Sequence, residues 1–174
     1  KEAVALARQW AEDPAHGYDQ GSRDGPDYDC GSLLNHLWEA VGVHVMAAGA
    51  TYTGNMRAAY LRCGFEIAPV DADDLSVGAG LIAGDVLLNE AALYVGGSRI
   101  VHASINELGT VVGGQTGDQT GGEICERDYY NFPWDVVLRY ANDAPEDGRS
   151  TCVVQPGDSW WAIAARELGD GSQW

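Results

Sequence analysis

Apolar residues change their spacing once along this chain, and that change limits the architectures open to it. In residues 2–12, Ala3, Val4, Leu6, Ala7 and Trp10 fall on one side of a helix. From Cys30, the residues Leu33, Leu34, Leu37, Trp38 and Val41 make the broad apolar stripe of a core-facing helix that Gly42 ends. Residues 54–63 suggest another short helix, stopped by Gly64. From residue 81 the apolar residues come in short runs, LIAGDVLL (81–88), AALYV (91–95), RIVHAS (99–104) and WDVVLRY (134–140), separated by turn formers. Helices first and strands later predict an α+β domain with N-terminal helices packed on an antiparallel sheet.

Composition narrows the partners. The 174 residues carry 10 Lys+Arg against 26 Asp+Glu, a formal net charge of −16. No basic stripe is available to displace counterions from a nucleic acid, nor to meet an anionic membrane surface. No apolar run approaches the roughly 20 residues that span a bilayer. The N-terminal stretch mixes charges through its apolar positions and reads as an amphipathic helix, not a secretion signal. A soluble monomer is expected, with a main domain over 1–140, a polar linker over 141–150 and a short strand-then-helix segment over 151–174 that Ser159 would cap. That last segment is too short to bury a core of its own.

The four cysteines, Cys30, Cys63, Cys125 and Cys152, are widely spaced, without the close pairs of a zinc site. Neither a metal nor a cofactor is expected. The acidic run Asp71, Asp73, Asp74 reads as a solvated loop. Trp10, Trp38 and Trp134 read as core, whereas Tyr129 and Tyr130 either join it or line a groove.

Cys30 stands where a loop rich in Gly, Pro and Asp meets the first residue of an apolar helix. The helix dipole and free N–H groups there favour a thiolate, and the neighbouring Asp29 opposes it. The alternative is a small buried residue, the usual fate of a lone Cys. A nucleophilic Cys needs a base. His36 is about 240° around and roughly 9 Å along the same helix, out of reach, and His16 and His44 read as surface loop residues. His102 lies in a strand. With Gly96-Gly97-Ser98 as a hairpin turn, Tyr94 opposes Ile100 and Ala92 opposes His102, which makes Glu90 a diagonal neighbour of the imidazole. Cys30, His102 and Glu90 then form a candidate nucleophile–base–orienter set. The competing reading is a half-buried His satisfied by Tyr94 or by a backbone carbonyl.

The segments GYDQGSRDGPDYDCGSLL, GDVLLN, ALYVGGSRIVHAS, GDQTG and YYNFPWDVVLRY resemble the NlpC/P60 superfamily of papain-like cysteine peptidases, in particular its bacteriophage-lysin branch. The resemblance covers residues 1–140. It implies a papain-like fold, with Cys30 as nucleophile, Tyr18 beside it and His102 as the polar residue that orients the catalytic imidazole. Tyr18, Asp29, Ser32 and Tyr94 are the expected substrate-contacting residues. The position where the family carries its base histidine holds Glu90, in a segment a few residues shorter than the family pattern. A missing loop, a lost histidine, or His102 serving as the base with Glu90 orienting it would each account for this. Residues 151–174 resemble the first half of a LysM module, which binds the glycan of peptidoglycan.

The expected function is a peptidoglycan hydrolase of the endolysin type that cleaves an amide of the stem peptide through a thiolate and an acyl-enzyme. It would act on the bacterial cell wall, either secreted or released by phage-type lysis. The alternative is a catalytically silent wall-binding relative that lacks the base histidine.

Overall fold

Aspartate side chains cap the starts of two helices in this protein, and the central helix shows this best. A computed structural model describes residues 1–141, which lie within one compact unit, Lys1–Ala144. The helices are α1 (Glu2–Glu12), α2 (Cys30–Ala40), α3 (Thr53–Arg62) and the short α4 (Ala72–Val77). Asp29 caps α2: its carboxylate accepts the Ser32 N–H at 2.7 Å, and the Ser32 hydroxyl accepts the Asp29 N–H at 2.9 Å. Two otherwise orphaned donors are satisfied reciprocally, which fixes Cys30 as the first helical residue.

The strands are β1 (Phe65–Ile67), β2 (Val86–Leu88), β3 (Ala91–Gly96), β4 (Arg99–Ala103), β5 (Ile124–Asp128) and β6 (Val136–Tyr140). They form one antiparallel sheet in the order β1-β6-β2-β3-β4-β5. The fold is α+β, helices on an antiparallel sheet. Alternation along the strands divides the core in two. Val86, Leu88, Ala91, Leu93, Val95, Val101 and Leu138 pack with Leu33, Leu34, Leu37 and Trp38 of α2 and with Ala3, Val4 and Ala7 of α1. Leu87, Ala92, Tyr94, Ile100 and Val137 face the other way and are covered by Trp134, Tyr129, Tyr130, Phe132 and Leu75. Trp38 and Trp134 are buried as expected; Trp10 is only partly so, stacked on Tyr28 at 5.1 Å.

The hairpin forms with Tyr94 opposite Ile100 and Leu93 opposite Val101; the register slips next to the turn, where Gly96 meets Arg99. Four local expectations are corrected. The acidic run is not a loop: Asp71 accepts the Asp74 N–H at 2.8 Å and caps α4, whose first turn holds Asp73 and Asp74, where carboxylates meet the positive helix end. Only Val86–Leu88 of 81–88 is strand, because Asp85, fully buried, is held in the preceding turn by Arg139 and by the Ile82 N–H. Likewise WDVVLRY is strand only from Val136. Finally, β1 and β5 form the sheet edges, where no strand was expected. The expected linker beyond residue 141 and the LysM-like segment lie outside the described residues.

Candidate active site

Cys30 sits at the first turn of α2, half-buried against the helix-side core and close to the start of β3. The backbone N–H groups of Ala91 and Gly31 favour the thiolate. Three effects oppose them. Burial is the largest and pushes the thiol above its ordinary value, and the carboxylates of Asp29 and Glu90 push it the same way. The expected lowering by the helix terminus is therefore corrected: desolvation and two negative neighbours outweigh the dipole, and the thiol stays protonated at neutral pH. Cys63 and Cys125 are also free thiols.

Tyr18 interacts electrostatically with Cys30. Its ring is buried, its hydroxyl accepts from Gln20 Nε2 at 3.2 Å, and its pKa is raised, chiefly by burial and further by Cys30, Asp29 and Glu90. Asp29 and Ser32 are near as well, but their polar atoms are engaged. Beyond the cap, Asp29 pairs with Arg23 through two bonds of 3.0 and 3.2 Å, and Arg23 also donates to the Thr51 carbonyl. Both residues shape the start of α2, on which Cys30 stands. Tyr94 is buried, with its hydroxyl accepting the Ser98 N–H at the hairpin turn, the end of β3 away from Ala91.

His102 is not hydrogen-bonded to Cys30 or to Glu90. Its ring shares a sheet face with Ala92, Tyr94 and Ile100, the face turned from α2. The ring is 95% buried, its Nε2 has no hydrogen-bond partner, and the nearest aromatic, Tyr130, lies at 6.3 Å between centroids. Burial, and then the Arg127 charge, lower its pKa to about 4. Glu90 is exposed because β2 and β3 are joined at once: Leu88 pairs with Ala91, leaving Asn89-Glu90 as a two-residue turn. Asn89 takes φ 152°, which side-chain-bearing residues rarely adopt, and donates to the Pro133 carbonyl at 2.6 Å. Glu90 is thus a turn residue whose charge reaches Cys30, Tyr18 and Tyr130, and the expected Glu90–His102 hydrogen bond does not form.

One part of the site went unforeseen. Glu123, fully buried, accepts the Tyr18 N–H at 2.9 Å and the Gln119 N–H at 3.0 Å. Asp27, also buried, accepts from Gly17 N at 3.0 Å and Gly117 N at 2.8 Å. These carboxylates clamp the GDQTG loop onto the segment carrying Tyr18. A Cβ on Gly17 would collide with the Gly117 carbonyl, so the close approach requires glycine there. The sequence signal was the coincidence of glycines and acids in two distant loops.

Fold and site together define an α+β domain with a thiol at the N-terminus of a helix packed on an antiparallel sheet. Residues 100–151, under a third of the chain, match the family model of the endolysin-like domain. No curated protein matches the chain. Among solved structures it is similar to NlpC1 from Trichomonas vaginalis, with a TM-score of 0.48 and 18% identity, over 79% of this chain and 42% of that one. The chain therefore spans less than half the length of that structure. Among the described residues no group of three or more His, Cys, Asp or Glu is arranged to hold a metal ion, and no helix is long and apolar enough to cross a membrane.

Proposed function

We propose that this chain is a peptidoglycan hydrolase of the endolysin, NlpC/P60-like type, with Cys30 as the nucleophile that attacks an amide of the stem peptide. The observation that carries this reading is the half-buried thiol that forms the first residue of α2, where the N–H groups of Ala91 and Gly31 favour its ionised form. The endolysin-like match over residues 100–151 supports the substrate class. In the reaction, the Cys30 thiolate adds to the carbonyl carbon, and N–H groups at the helix start stabilise the oxyanion. The C–N bond then breaks, the amine leaves with a proton drawn from water, and water hydrolyses the thioester to release the acid and regenerate the thiol.

No imidazole receives the thiol proton, and a carboxylate is no substitute. Passing a proton from a thiol of pKa about 8.5 or more to a carboxylate near 4.3 costs roughly 6 kcal/mol. Ionisation by solvent supplies the thiolate, so activity climbs with pH through the alkaline range. A second reading, a wall-binding protein without turnover, is favoured by one observation: Glu90 opposes ionisation of Cys30, while the Nε2 of His102 is buried without a hydrogen-bond partner.

Clearing of purified cell walls by wild type and Cys30→Ala at pH 7 and pH 9.5 separates the readings. Clearing that is faster at pH 9.5 and absent in the variant supports the hydrolase. Equal clearing by both proteins eliminates thiol chemistry, and sedimentation with walls without clearing by either selects the binder.

A further inference from the structure

Arg8, Arg23, Arg99 and Arg139 each lie within 3.1 Å of a carboxylate oxygen. Arg127 does not: it is exposed on β5 and pairs with no carboxylate among the described residues, although the chain carries a net charge of −16. Its guanidinium lies instead over the ring of Tyr130, 4.8 Å from the centroid. A guanidinium stacked in this way keeps its in-plane N–H groups free, and their fork matches a carboxylate.

Its neighbours on the sheet are aromatic and titratable. Arg127 pairs with Ile100 and Cys125 pairs with His102 across β4 and β5, so all four side chains share one face. Tyr130 lies between Arg127 and His102, and Phe132 meets Tyr130 edge-on at 6.1 Å. The Nε2 of His102 is buried without a partner, a polar atom that proteins seldom leave unmatched. Glu90 acts electrostatically on both Tyr130 and Cys30.

We propose that Arg127, seated on Tyr130 on the sheet face that also carries His102, is a subsite for a carboxylate of the bound peptide. The inference rests on the cell-wall reading above and names the peptide chemistry it selects. Asp29 and Glu90 make the sulfur end repellent to anions, so the carboxylate lies on the β5 side of the bond that faces Cys30.

The probe is a synthetic L-Ala-γ-D-Glu-L-Lys-D-Ala peptide, as the free acid and with its carboxyls amidated, titrated calorimetrically into the full chain. The free acid is expected to bind roughly tenfold tighter, the scale of one charge-assisted contact. Arg127→Gln should bring it to the affinity of the amidated peptide and leave the latter unchanged, while Arg127→Lys retains part of the preference. Equal affinity of wild type for the two forms, or equal loss of both in Arg127→Gln, overturns the subsite. Failure to bind either form by a chain that still sediments with intact walls also overturns it and leaves the wall reading standing. Failure to sediment overturns both.

Discussion

His102 should couple the stability of this domain to mild acid. Its imidazole is held neutral by burial and by the Arg127 charge, with a pKa of about 4 against 6.5 for the free side chain. Because the folded-state value is depressed, the unfolded chain binds the extra proton first. The stability tied to the neutral ring is fully present above pH 6.5, falls as pH drops through the window, and is gone below about 4. Each unit is worth about 1.4 kcal/mol, so the total loss is roughly 3 kcal/mol, of which about 2 kcal/mol falls between pH 6.5 and 5. Carboxylates titrate in the lower part of the same range, so the measurement is a difference. Urea unfolding of wild type and His102→Gln at pH 7.5, 6, 5 and 4.5 gives two stability profiles. They should converge as pH falls, the non-titrating variant losing about 2 kcal/mol less than wild type by pH 5. Parallel profiles would refute the claim that the ring is buried neutral.

Two further outcomes follow from the scaffold. Asp85→Ala leaves the Arg139 guanidinium without its two bonds of 2.8 and 2.7 Å, and thermal or urea unfolding should show a loss of about 3–5 kcal/mol, the usual cost of removing one partner from a buried pair. Gly17→Ala drives a Cβ into the Gly117 carbonyl; it should cost about 1–3 kcal/mol and speed hydrogen exchange at the Tyr18 and Gln119 amides that Glu123 holds.

Where a feature depends on local periodicity or on a cap, the sequence discloses it. The stripe Leu33, Leu34, Leu37, Trp38 marks α2, and the loop-to-helix switch at Asp29-Cys30 puts a thiol at its start. The Gly96-Gly97-Ser98 turn gives the pairing of Tyr94 with Ile100. Edge strands carry less information: β1 is three residues long, and in β5 only Ile124 is buried. The cap of α4 was written in Asp71-x-x-Asp74, but so short a helix has no apolar stripe to accompany it. Counting diagonal neighbours misplaced Glu90 because the chain reverses at Asn89-Glu90, taking Glu90 out of the strand. The buried carboxylates Glu123 and Asp27 are unreadable in one dimension, since an acidic residue looks solvated until the N–H groups it accepts from are assembled around it.

The central claim is that Cys30 is a helix-capped thiol kept protonated by burial and two carboxylates, with no imidazole to take its proton. Its rate of alkylation by iodoacetamide as a function of pH, followed by mass spectrometry of the peptide that contains it, tests this most directly. The account expects an apparent pKa above the ordinary thiol value, moving down in Glu90→Gln as one opposing charge is removed. A midpoint well below that value in the wild type, the signature of a thiolate–imidazolium pair, would contradict it.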